Sequence, residues 1–387
     1  MLNNQMKILL VHNYYQSKFV SGEDVVFDNE VLLLQERLGR DNVLVYKVFN
    51  DDINKIRLFF NIWHSFEHGK AISNIVTNNN IDLVHVHNFF PVLTPSVFKA
   101  AKHAGAIVIH TLHNYRFWCI SGSFYKENSA CEICANKIFP LHGILNKCYR
   151  KSLVQSLFTQ VVFLFYKLTK YTNSIDYFFV LTNFQKNKVI DLGVDKNKIF
   201  LKPNSVQSFD RPIEYKNKNG YIFVGRLEES KGIIELLKIW KGLENKFVLT
   251  IVGSGELEVR LKNDYQQNNI IFKGKCSRKE TMKYIAKSCY LVQPSLLYET
   301  FGLTIIEAMG EGVPVIGLNV GTRVDFIKNG ENGFLTNLID LSEIIKRSYQ
   351  YKKYDYLCKN AVKTSLDYKG DTIISKQLLI YESIISK

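Results

Sequence analysis

The chain has 387 residues, of which 46% are hydrophobic and 22% are charged. These values are typical of globular proteins, and the length is sufficient for two domains with ordinary cores. The formal net charge of +14 suggests an anionic partner such as a nucleotide, a phospholipid surface or a nucleic acid. No block of Lys and Arg resembles a nucleic-acid-binding arm, and no zinc-finger or RNP motif is present, so no nucleic acid is expected. A basic globular protein without such a partner is the alternative.

Short apolar segments alternate with helical ones along the chain. Near-continuous apolar strands separated by helices indicate parallel sheets that are covered on both faces. The predicted strands of the first half are KILLVH, NVLVYKVF, DLVHVH, AIVIHTLH and YFFVLT. Those of the second half are GYIFVG, FVLTIVG, NIIFKG, CYLVQP and VPVIG.

A polar segment with two prolines, residues 200–220, joins the two sets of strands, and we interpret it as a linker. The sequence therefore predicts an α/β protein with two Rossmann-like, doubly wound domains, over residues 1–203 and 204–387. We expect these domains to face a central cleft at the carboxyl ends of their strands, where open α/β sheets bind ligands. We leave open that the last helix packs back on the first domain.

The most apolar long segment is SLVQSLFTQVVFLFYKL, residues 152–168. It contains Ser, Gln and Thr and is shorter than a comfortable membrane span, so we interpret it as a buried or membrane-surface helix. The apolar run near the N-terminus is too short and too interrupted for a secretory signal.

Two glutamates flank a predicted helix start in YETFGLTIIEAMGEGVPVIG, residues 298–317. Phe301, Gly302 and Leu303 lie where this helix begins, and backbone N–H groups at such a point can hold an anion. Glu299 precedes the helix start and Glu307 lies further along the helix. Because carboxylates accept hydrogen bonds from sugar and ribose hydroxyls, the pair suggests hydroxyl recognition beside a phosphate. Two solvated surface glutamates are the alternative.

Two cations follow the first predicted strand of the second half in YIFVGRLEESKGIIELLKIW, residues 221–240. Arg226 and Lys231 are expected at the mouth of this strand, where two positive charges suit a diphosphate. The segment TIVGSGELE repeats the strand–glycine–helix layout with Gly253 and Gly255. This Gly-x-Gly fragment lacks the third glycine of a dinucleotide fingerprint, which disfavours a nicotinamide dehydrogenase, and a tight turn explains it equally well.

Four motifs, in this order along the chain, resemble family 4 of the retaining glycosyltransferases, which have the GT-B fold. They are VLTNFQKNKVIDLGVDKNKIFLKPNSV, GRLEESKG, IVGSGEL and PSLLYETFGLTIIEAMGEGVPVIG. The resemblance implies that Glu299 contacts the transferred sugar and that Glu307 holds the ribose of the nucleotide. It also implies that the N–H groups of residues 301–303 hold diphosphate or sugar oxygens and that two cations neutralise the leaving diphosphate. The predicted donor site thus comprises Arg226, Lys231, Gly253, Glu299, Phe301, Gly302, Leu303 and Glu307.

The first half carries two further parts of this resemblance. SGEDVVFDNEVLLL, residues 21–34, is similar to the family's glycine loop, although Ser21 stands where a second glycine is more usual. Gly22 would let the backbone approach the diphosphate from the opposite domain. In HTLHNYRFWC, residues 110–119, His113 matches the family's sugar-contacting histidine. Its competitors, any of which would more often be a core residue, are His12, His85, His87 and His110.

Metal independence is predicted because the chain contains no Asp-x-Asp, which a metal-dependent transferase would use to hold a divalent ion on the diphosphate. Arg226, Lys231 and the helix terminus would replace the ion's charge, and no cofactor is expected. Catalysis would then rest on positioning and on electrostatic stabilisation of the departing nucleoside diphosphate. Retention could come from a front-face attack in which a leaving phosphate oxygen takes the acceptor proton.

Four of the seven cysteines cluster in the sequence, with His142 nearby. They include a C-x2-C pair of the kind that begins many metal sites, but the usual second pair is missing. We interpret the four as reduced thiols in a lid, with structural zinc as the alternative. The cluster consists of Cys119, Cys131, Cys134 and Cys148.

These observations predict a cytoplasmic enzyme, peripheral to the inner face of the plasma membrane. It would transfer a sugar from a nucleotide-diphosphate sugar to a lipid-linked glycan acceptor in bacterial O-antigen or capsule synthesis. The acceptor class rests on the family resemblance, the cysteine-bearing insert and the basic character of the chain. The alternatives are a GT-B sugar-nucleotide epimerase and a non-catalytic nucleotide-sugar or membrane-binding protein.

Overall fold

The structure is a computed structural model, and it describes residues 6–15, 21–206 and 218–386. Most of the proposed linker, residues 207–217, lies outside these ranges. The chain divides into two units. The first comprises Met1–Gly122, Glu132–Ser205 and Gly370–Lys387, and the second comprises Ser123–Cys131 and Val206–Lys369.

The first half of the chain alternates strands and helices. Its strands are β1 (Ile8–Tyr14), β2 (Val43–Phe49), β3 (Leu83–Asn88), β4 (Ile107–Thr111), β5 (Tyr125–Lys126), β6 (Ser129–Ala130), β7 (Tyr177–Val180) and β8 (Ile199–Leu201). Its α-helices are α1 (Gly22–Leu38), α2 (Lys55–Asn61), α3 (Phe66–Asn79), α4 (Ser96–His103), α5 (Leu141–Leu145), α6 (Leu153–Leu168) and α7 (Asn183–Asp191). Six strands form a parallel sheet in the order β2-β1-β3-β4-β7-β8, while β5 and β6 pair as an antiparallel hairpin that belongs to the second unit.

The second half repeats the arrangement. Its strands are β9 (Tyr221–Val224), β10 (Leu249–Val252), β11 (Ile270–Gly274), β12 (Tyr290–Gln293), β13 (Val315–Leu318) and β14 (Gly333–Thr336). Its α-helices are α8 (Ile233–Lys241), α9 (Glu258–Tyr265), α10 (Arg278–Lys287), α11 (Leu303–Gly310), α12 (Arg323–Phe326), α13 (Leu341–Tyr349), α14 (Tyr354–Leu366) and α15 (Gly370–Ile385). These strands form a second parallel sheet in the order β11-β10-β9-β12-β13-β14.

Both faces of the first sheet are buried, as the uninterrupted apolar strands predict. All seven residues of β1 are buried. Successive side chains of a strand point to opposite faces. Leu9 and Val11 accordingly lie in one core, while Ile8 and Leu10 lie in another. The second of these cores also contains Ile374, Tyr381 and Ile384 of α15, so the last helix covers this face of the first unit's sheet.

All ten predicted strands are present, and the α/β prediction with two Rossmann-like sheets is confirmed. The edge strands β8 and β14 were not predicted. Their apolar runs are only IFL and FL, flanked by polar residues or glycine, so neither shows the longer apolar run that marks a central strand.

The strand order of each sheet defines a position at which a ligand can bind. In each, the first strand lies beside the second on one side and beside a later strand on the other. The strand order therefore reverses next to β1 in the first sheet and next to β9 in the second. The loops after the two strands at such a point diverge and leave a crevice for a ligand. The crevice of the second sheet lies between the loops that follow β9 and β12.

Candidate active site

The loops after β9, β10 and β12 pack closely, and glycine makes this packing possible. Gly253 has a φ of 136°, and a Cβ there would lie 1.9 Å from the carbonyl oxygen of Gly225. A Cβ on Gly232, which has a φ of 68°, would lie 2.0 Å from the carbonyl oxygen of Pro294. These close approaches supply a structural reason for Gly253, in line with the tight-turn interpretation. A role of Gly253 in donor binding stays a prediction.

The crevice of the second sheet brings together two of the predicted residues. Lys231 follows β9 and Glu299 follows β12, and the Nζ of Lys231 lies 2.7 Å from Oε1 of Glu299. Their side chains are only 20% and 14% exposed. The same carboxylate oxygen accepts hydrogen bonds from the Ser295 hydroxyl at 2.8 Å and the Gln293 amide at 3.3 Å. The pair is thus a partly buried ion pair with a fixed geometry.

The charge of Glu299 is stabilised by its neighbours. Burial alone would raise the pKa of this carboxyl group, but the Lys231 ammonium, Arg323 and the Ser295 hydroxyl outweigh burial and lower it to about 2. Glu299 is therefore an anion over the physiological pH range.

Arg323 is a residue of the site that the sequence analysis missed. Its side chain is fully buried. Its Nη1 donates to Gln293 at 3.1 Å and its Nε donates to the carbonyl oxygen of Leu318 at 2.8 Å. Burial lowers the pKa of Arg323 to about 10, while Glu299 acts in the opposite direction. A buried arginine needs a compensating anion, so Arg323 and Glu299 stabilise each other through the electrostatic field that they share.

Glu307 lies inside α11 and is paired differently. Its Oε1 accepts a hydrogen bond from Nη2 of Arg278 at 2.9 Å. Burial raises the pKa of Glu307, and Arg278 offsets part of this effect. The structure thus gives the two predicted glutamates separate cationic partners, Lys231 for Glu299 and Arg278 for Glu307.

Arg226 is the most exposed of the predicted charged residues. Its side chain is 75% exposed, and its guanidinium lies 3.2 Å from the carboxylate of Glu228. It follows β9, as predicted, and pairs with Glu228 rather than with Glu299. Its contribution to a diphosphate site stays a prediction.

The helix α11 begins at Leu303, as the sequence predicts. Gly302 precedes it in a left-handed conformation with a φ of 93°. The Phe301 ring is buried and packs edge-on against Phe326 and Tyr368. Phe301 therefore anchors the turn that directs the first N–H groups of the helix, and the use of these groups for a phosphate stays a prediction.

In the first unit, Gly22 is the first residue of α1 and is exposed. Ser21 caps this helix: its hydroxyl accepts from the Asp24 N–H, and the Asp24 carboxylate accepts from the Ser21 N–H. This capping box explains why serine stands where the family more often has glycine. The preceding residues 16–20 lie outside the described part of the chain, and the role of Gly22 stays a prediction.

His113 follows β4, and its Nε2 lies 2.9 Å from Nδ1 of His87. The other competing histidines have structural partners. His12 bonds to Asp24 at 2.8 Å, His85 lies between the hydroxyls of Tyr381 and Thr111, and His110 bonds to the Val86 carbonyl. The structure thus places His113 in contact with His87. His12 and His110 instead form hydrogen bonds with other residues.

The four clustered cysteines do not form a metal-binding group. Among the described residues, the set whose ligand atoms lie close enough to hold one ion is Glu30, His85 and His87. None of the seven cysteines forms a disulfide, and Cys119 and Cys134 are buried. The geometry therefore gives no support to the structural-zinc alternative within the described ranges.

Comparison with known families agrees with this arrangement. Residues 28–208 match the model "Glycosyltransferase Family 4", and residues 204–361 match "Glycosyl transferases group 1". Together the two matches span both units. The chain belongs to glycosyltransferase family 4 and has the GT-B fold.

Three similar proteins illustrate the relationship. A Klebsiella pneumoniae protein described as an uncharacterized 41.2 kDa protein in the cps region is 31% identical over 41% of this chain and 46% of its own length, so the match covers about half of that relative. The lipopolysaccharide outer core galactosyltransferase WaaB is 18% identical, with a TM-score of 0.65 over 98% of this chain and 99% of its own. Anabaena Alr3699/HepE, solved with UDP and glucose, is 16% identical, with a TM-score of 0.64 over 98% of this chain and 100% of its own. The two solved structures agree with the fold.

Proposed function

We propose that this protein is a retaining, metal-independent glycosyltransferase. It transfers a sugar from a nucleotide-diphosphate sugar to a lipid-linked glycan acceptor in the synthesis of a bacterial surface polysaccharide such as O-antigen or capsule. The observation that carries the proposal is the Lys231–Glu299 ion pair, with 2.7 Å between Nζ and Oε1, in the crevice between the loops after β9 and β12.

The pair suits a donor that combines an anion with hydroxyl groups. The ammonium of Lys231 can donate to a diphosphate while it keeps its contact with Glu299, because it has three N–H donors. The hydrogen bonds that the Glu299 carboxylate accepts from Lys231, Gln293 and Ser295 all end on Oε1. Its carboxylate can accept further hydrogen bonds from sugar hydroxyls, as a carboxylate offers about four acceptor sites. UDP and glucose bound to Alr3699/HepE support a nucleotide sugar as the ligand class.

The chemical step that we propose needs charge stabilisation more than a nucleophile. Lys231, Arg226 and the N–H groups at the start of α11 would stabilise the negative charge that grows on the leaving diphosphate. Glu299 is held on one side by three donors, which fixes its orientation toward the sugar. The acceptor hydroxyl would attack on the face that the leaving group departs from and give its proton to a phosphate oxygen, which retains the anomeric configuration.

Transfer is expected to persist in excess EDTA, because fixed cations replace the metal on the diphosphate. The chain lacks Asp-x-Asp, and Lys231 and Arg226 follow the strand β9. Initial rates measured with and without EDTA test this prediction. Complete loss of transfer that Mg²⁺ or Mn²⁺ restores would contradict it.

A surface of the first unit supports contact with a membrane. We define the apolar surface as the exposed apolar residues of α2 and α6. The two helices are joined by stacking of the Phe59 and Phe158 rings, whose centroids are 5.2 Å apart. Exposed basic residues precede α6 at positions 147, 150 and 151. The apolar surface consists of Ile56, Phe59, Phe60, Leu153, Val154, Leu157, Val161 and Leu168.

This composition suits attachment rather than insertion. Leu153, Leu157, Val161 and Leu168 recur at helical spacing along one side of α6. An apolar helix face flanked by cations can lie in the interface of an anionic bilayer. Within the described ranges, no helix is long and apolar enough to cross a membrane. A lipid-linked acceptor would be reached from such a surface, and the cps-region and lipopolysaccharide relatives support this acceptor class.

Binding to anionic vesicles is expected to be salt-sensitive and to depend on three cations before α6. Each basic residue near an anionic surface contributes about 1 kcal/mol. Replacing Lys147, Arg150 and Lys151 by Glu should therefore lower vesicle binding at least 100-fold in a sedimentation assay.

The matched control carries the same change of charge in the second unit, with the exposed residues Lys352, Lys353 and Lys359 replaced by Glu. We expect this variant to retain most of its vesicle binding. Equal losses in both variants would show that net charge, and not the surface beside α6, determines binding.

A thermal-shift screen against UDP-, GDP- and dTDP-sugars tests the ligand class. A ligand that binds only the folded state raises the free energy of unfolding by mass action. We expect one nucleotide series to raise the melting temperature in the wild-type protein and to raise it less in Lys231→Met. Absence of any shift in all three series would contradict the proposed donor class.

A further inference from the structure

A buried network of polar side chains in the first unit reaches His113. It starts at Lys202, which follows β8 and whose ammonium forms an ion pair with Oε2 of Glu30. The other oxygen of Glu30 lies 3.3 Å from Nε2 of His87 and 2.6 Å from the amide nitrogen of Gln377. Nδ1 of His87 then lies 2.9 Å from Nε2 of His113.

The members come from distant parts of the chain. Glu30 lies on α1, His87 lies on β3 and Gln377 lies on α15. Glu30, His87, Lys202 and Gln377 are all at most 2% exposed. A buried polar network of this kind is costly unless its members have partners. Each residue here has one, and within the described ranges the Oε1 of Gln377 is the atom of the network that accepts no hydrogen bond.

The protonation state of Glu30 fixes the direction of its hydrogen bonds. Burial alone would raise the pKa of Glu30, but Lys202 and the two histidines on β3 hold it well below its usual range. An ionised carboxylate only accepts hydrogen bonds. His87 must therefore donate to it through Nε2.

The neutral state of His87 and His113 determines which of their ring nitrogens donate and which accept. Burial, partly offset by Glu30, lowers the pKa of His87 to about 3. A neutral imidazole has one donor and one acceptor nitrogen, so Nδ1 of His87 accepts, and the Nε2–H of His113 donates to it. Burial, together with His87 and Lys202, also holds the pKa of His113 well below its ordinary value. A neutral His113 that donates through Nε2 has Nδ1 as its acceptor.

A metal ion is the other interpretation of this cluster, because Glu30, His85 and His87 could share one ion. The ring nitrogens of His85 already lie 2.6 Å from the hydroxyls of Tyr381 and Thr111. The buried ammonium of Lys202 also supplies the positive charge that an ion would bring. The cluster is therefore held together by side-chain hydrogen bonds and by the Lys202–Glu30 ion pair, without an ion.

We propose that Glu30 and His87 are positioning residues that fix His113 as the tautomer protonated on Nε2, with Nδ1 as its hydrogen-bond acceptor. This inference rests on the proposed function and on the family resemblance, which implies that His113 contacts the transferred sugar. It narrows the group that His113 recognises to a hydrogen-bond donor. A sugar hydroxyl is such a group, whereas a phosphate oxygen is not.

The test is ¹⁵N NMR of ring-labelled histidine in the ligand-free protein, with the His113 signals assigned by their loss in His113→Gln. In the wild-type protein, we expect Nε2 of His113 to have the ¹⁵N chemical shift of a protonated ring nitrogen. We expect Nδ1 to have the chemical shift of an unprotonated ring nitrogen. His87→Asn can keep an acceptor near the position of Nδ1 and is expected to keep this pattern. His87→Leu removes the acceptor and is expected to give a mixture of tautomers.

A second variant covers the case in which His87→Leu fails to fold. Glu30→Leu combined with Lys202→Met removes both buried charges together, so neither is left unpaired. It frees His87 to change tautomer, and we expect the His113 pattern to become mixed.

Activity gives an independent readout. Partners that orient a metal-ligating histidine typically contribute 10- to 100-fold to affinity or activity, and we expect an effect of similar size for a histidine that contacts a sugar. In His87→Leu we expect kcat to fall by about this factor, with the affinity for free UDP or GDP unchanged. A His113 protonated on Nδ1 in the wild-type protein, or a pattern unchanged in both disrupting variants, would overturn the proposal. The NMR result needs no substrate, so its failure is distinct from a failure of the proposed function.

Discussion

Replacing Glu299 by glutamine is expected to lower kcat about 100-fold, while the affinity for the free nucleoside diphosphate stays nearly unchanged. Glutamine keeps the shape of the side chain but loses the negative charge that Lys231 and Arg323 surround. Under the proposed mechanism this charge acts at the sugar as its bond breaks, and removal of one preorganised electrostatic contact typically costs 10²–10³ in kcat. Steady-state kinetics with the donor found by the thermal-shift screen gives the first value, and calorimetric titration with UDP or GDP gives the second.

Glu307→Gln is the matched variant, with the same chemical change on the same segment. Because Glu307 is assigned to the ribose and pairs with Arg278, its loss should weaken nucleoside diphosphate binding and raise KM, with a smaller effect on kcat. We expect little change in melting temperature, since burial already disfavours the ionised form of Glu307. The reverse pattern would exchange the two assignments, and no effect from either variant would return both residues to a structural role.

The second large effect is expected from Lys231→Met. It removes a charged donor from the proposed diphosphate site, and each such hydrogen bond contributes roughly 1.5–3 kcal/mol, or about 10- to 100-fold in rate. It also leaves Glu299 without its cation, which disturbs the residue at the sugar. We therefore expect kcat/KM to fall at least 100-fold, and more than in Arg226→Ala, whose side chain is 75% exposed.

Lys231→Met removes a donor to the diphosphate and also removes the cation beside Glu299. The dependence of activity on pH separates these two effects. In the wild-type protein the pKa of Glu299 is lowered from 4.5 to about 2. A lowered folded-state pKa stabilises the fold above the unfolded-state pKa, and this contribution is lost as the pH falls from about 4.5 through about 2. Without Lys231 the pKa of Glu299 in the folded protein should rise, so activity should begin to fall at a higher pH in the variant, while the stability that is lost between about pH 4.5 and about pH 2 should become smaller.

Two control variants accompany Lys231→Met. Lys231→Arg keeps the positive charge. The double variant Lys231→Met/Glu299→Gln removes both charges, so Glu299 is not left as an unpaired anion. The double variant should recover stability without recovering activity, since it removes both charges together. If activity fell at the same acidic pH in Lys231→Met as in the wild-type protein, this would contradict the electrostatic coupling of Lys231 and Glu299.

The sequence predicts the fold well because each central strand is buried on both faces. A strand such as β1, with all seven residues buried, gives a continuous apolar run that needs no tertiary information. The short edge strand β14 gives no such run. The covering of the first sheet by α15 depends on packing across more than three hundred residues, as in the Gln377–Glu30 contact, and no local pattern encodes it.

Sequence motifs identified Lys231 and Glu299 as residues of the candidate site. They did not predict that the two side chains are in contact. They are 68 positions apart, and only the strand order brings their loops together. Arg323 was missed because an arginine beside a glycine turn is normally exposed, and its burial depends on the anion of Glu299. The spacing of His85 and His87 did contain a signal, because two positions along a strand place both side chains on one face.

The central claim is that sugar is transferred from a nucleotide sugar at the Lys231–Glu299 pair. Its most direct test is product analysis with a radiolabelled nucleotide sugar of the series that raises the melting temperature, incubated with membranes that contain lipid-linked glycans. We predict that the label moves into the organic-extractable fraction with retained anomeric configuration and that Lys231→Met abolishes this movement. Label that stays on the nucleotide, unchanged or as an epimerised sugar, would contradict the account.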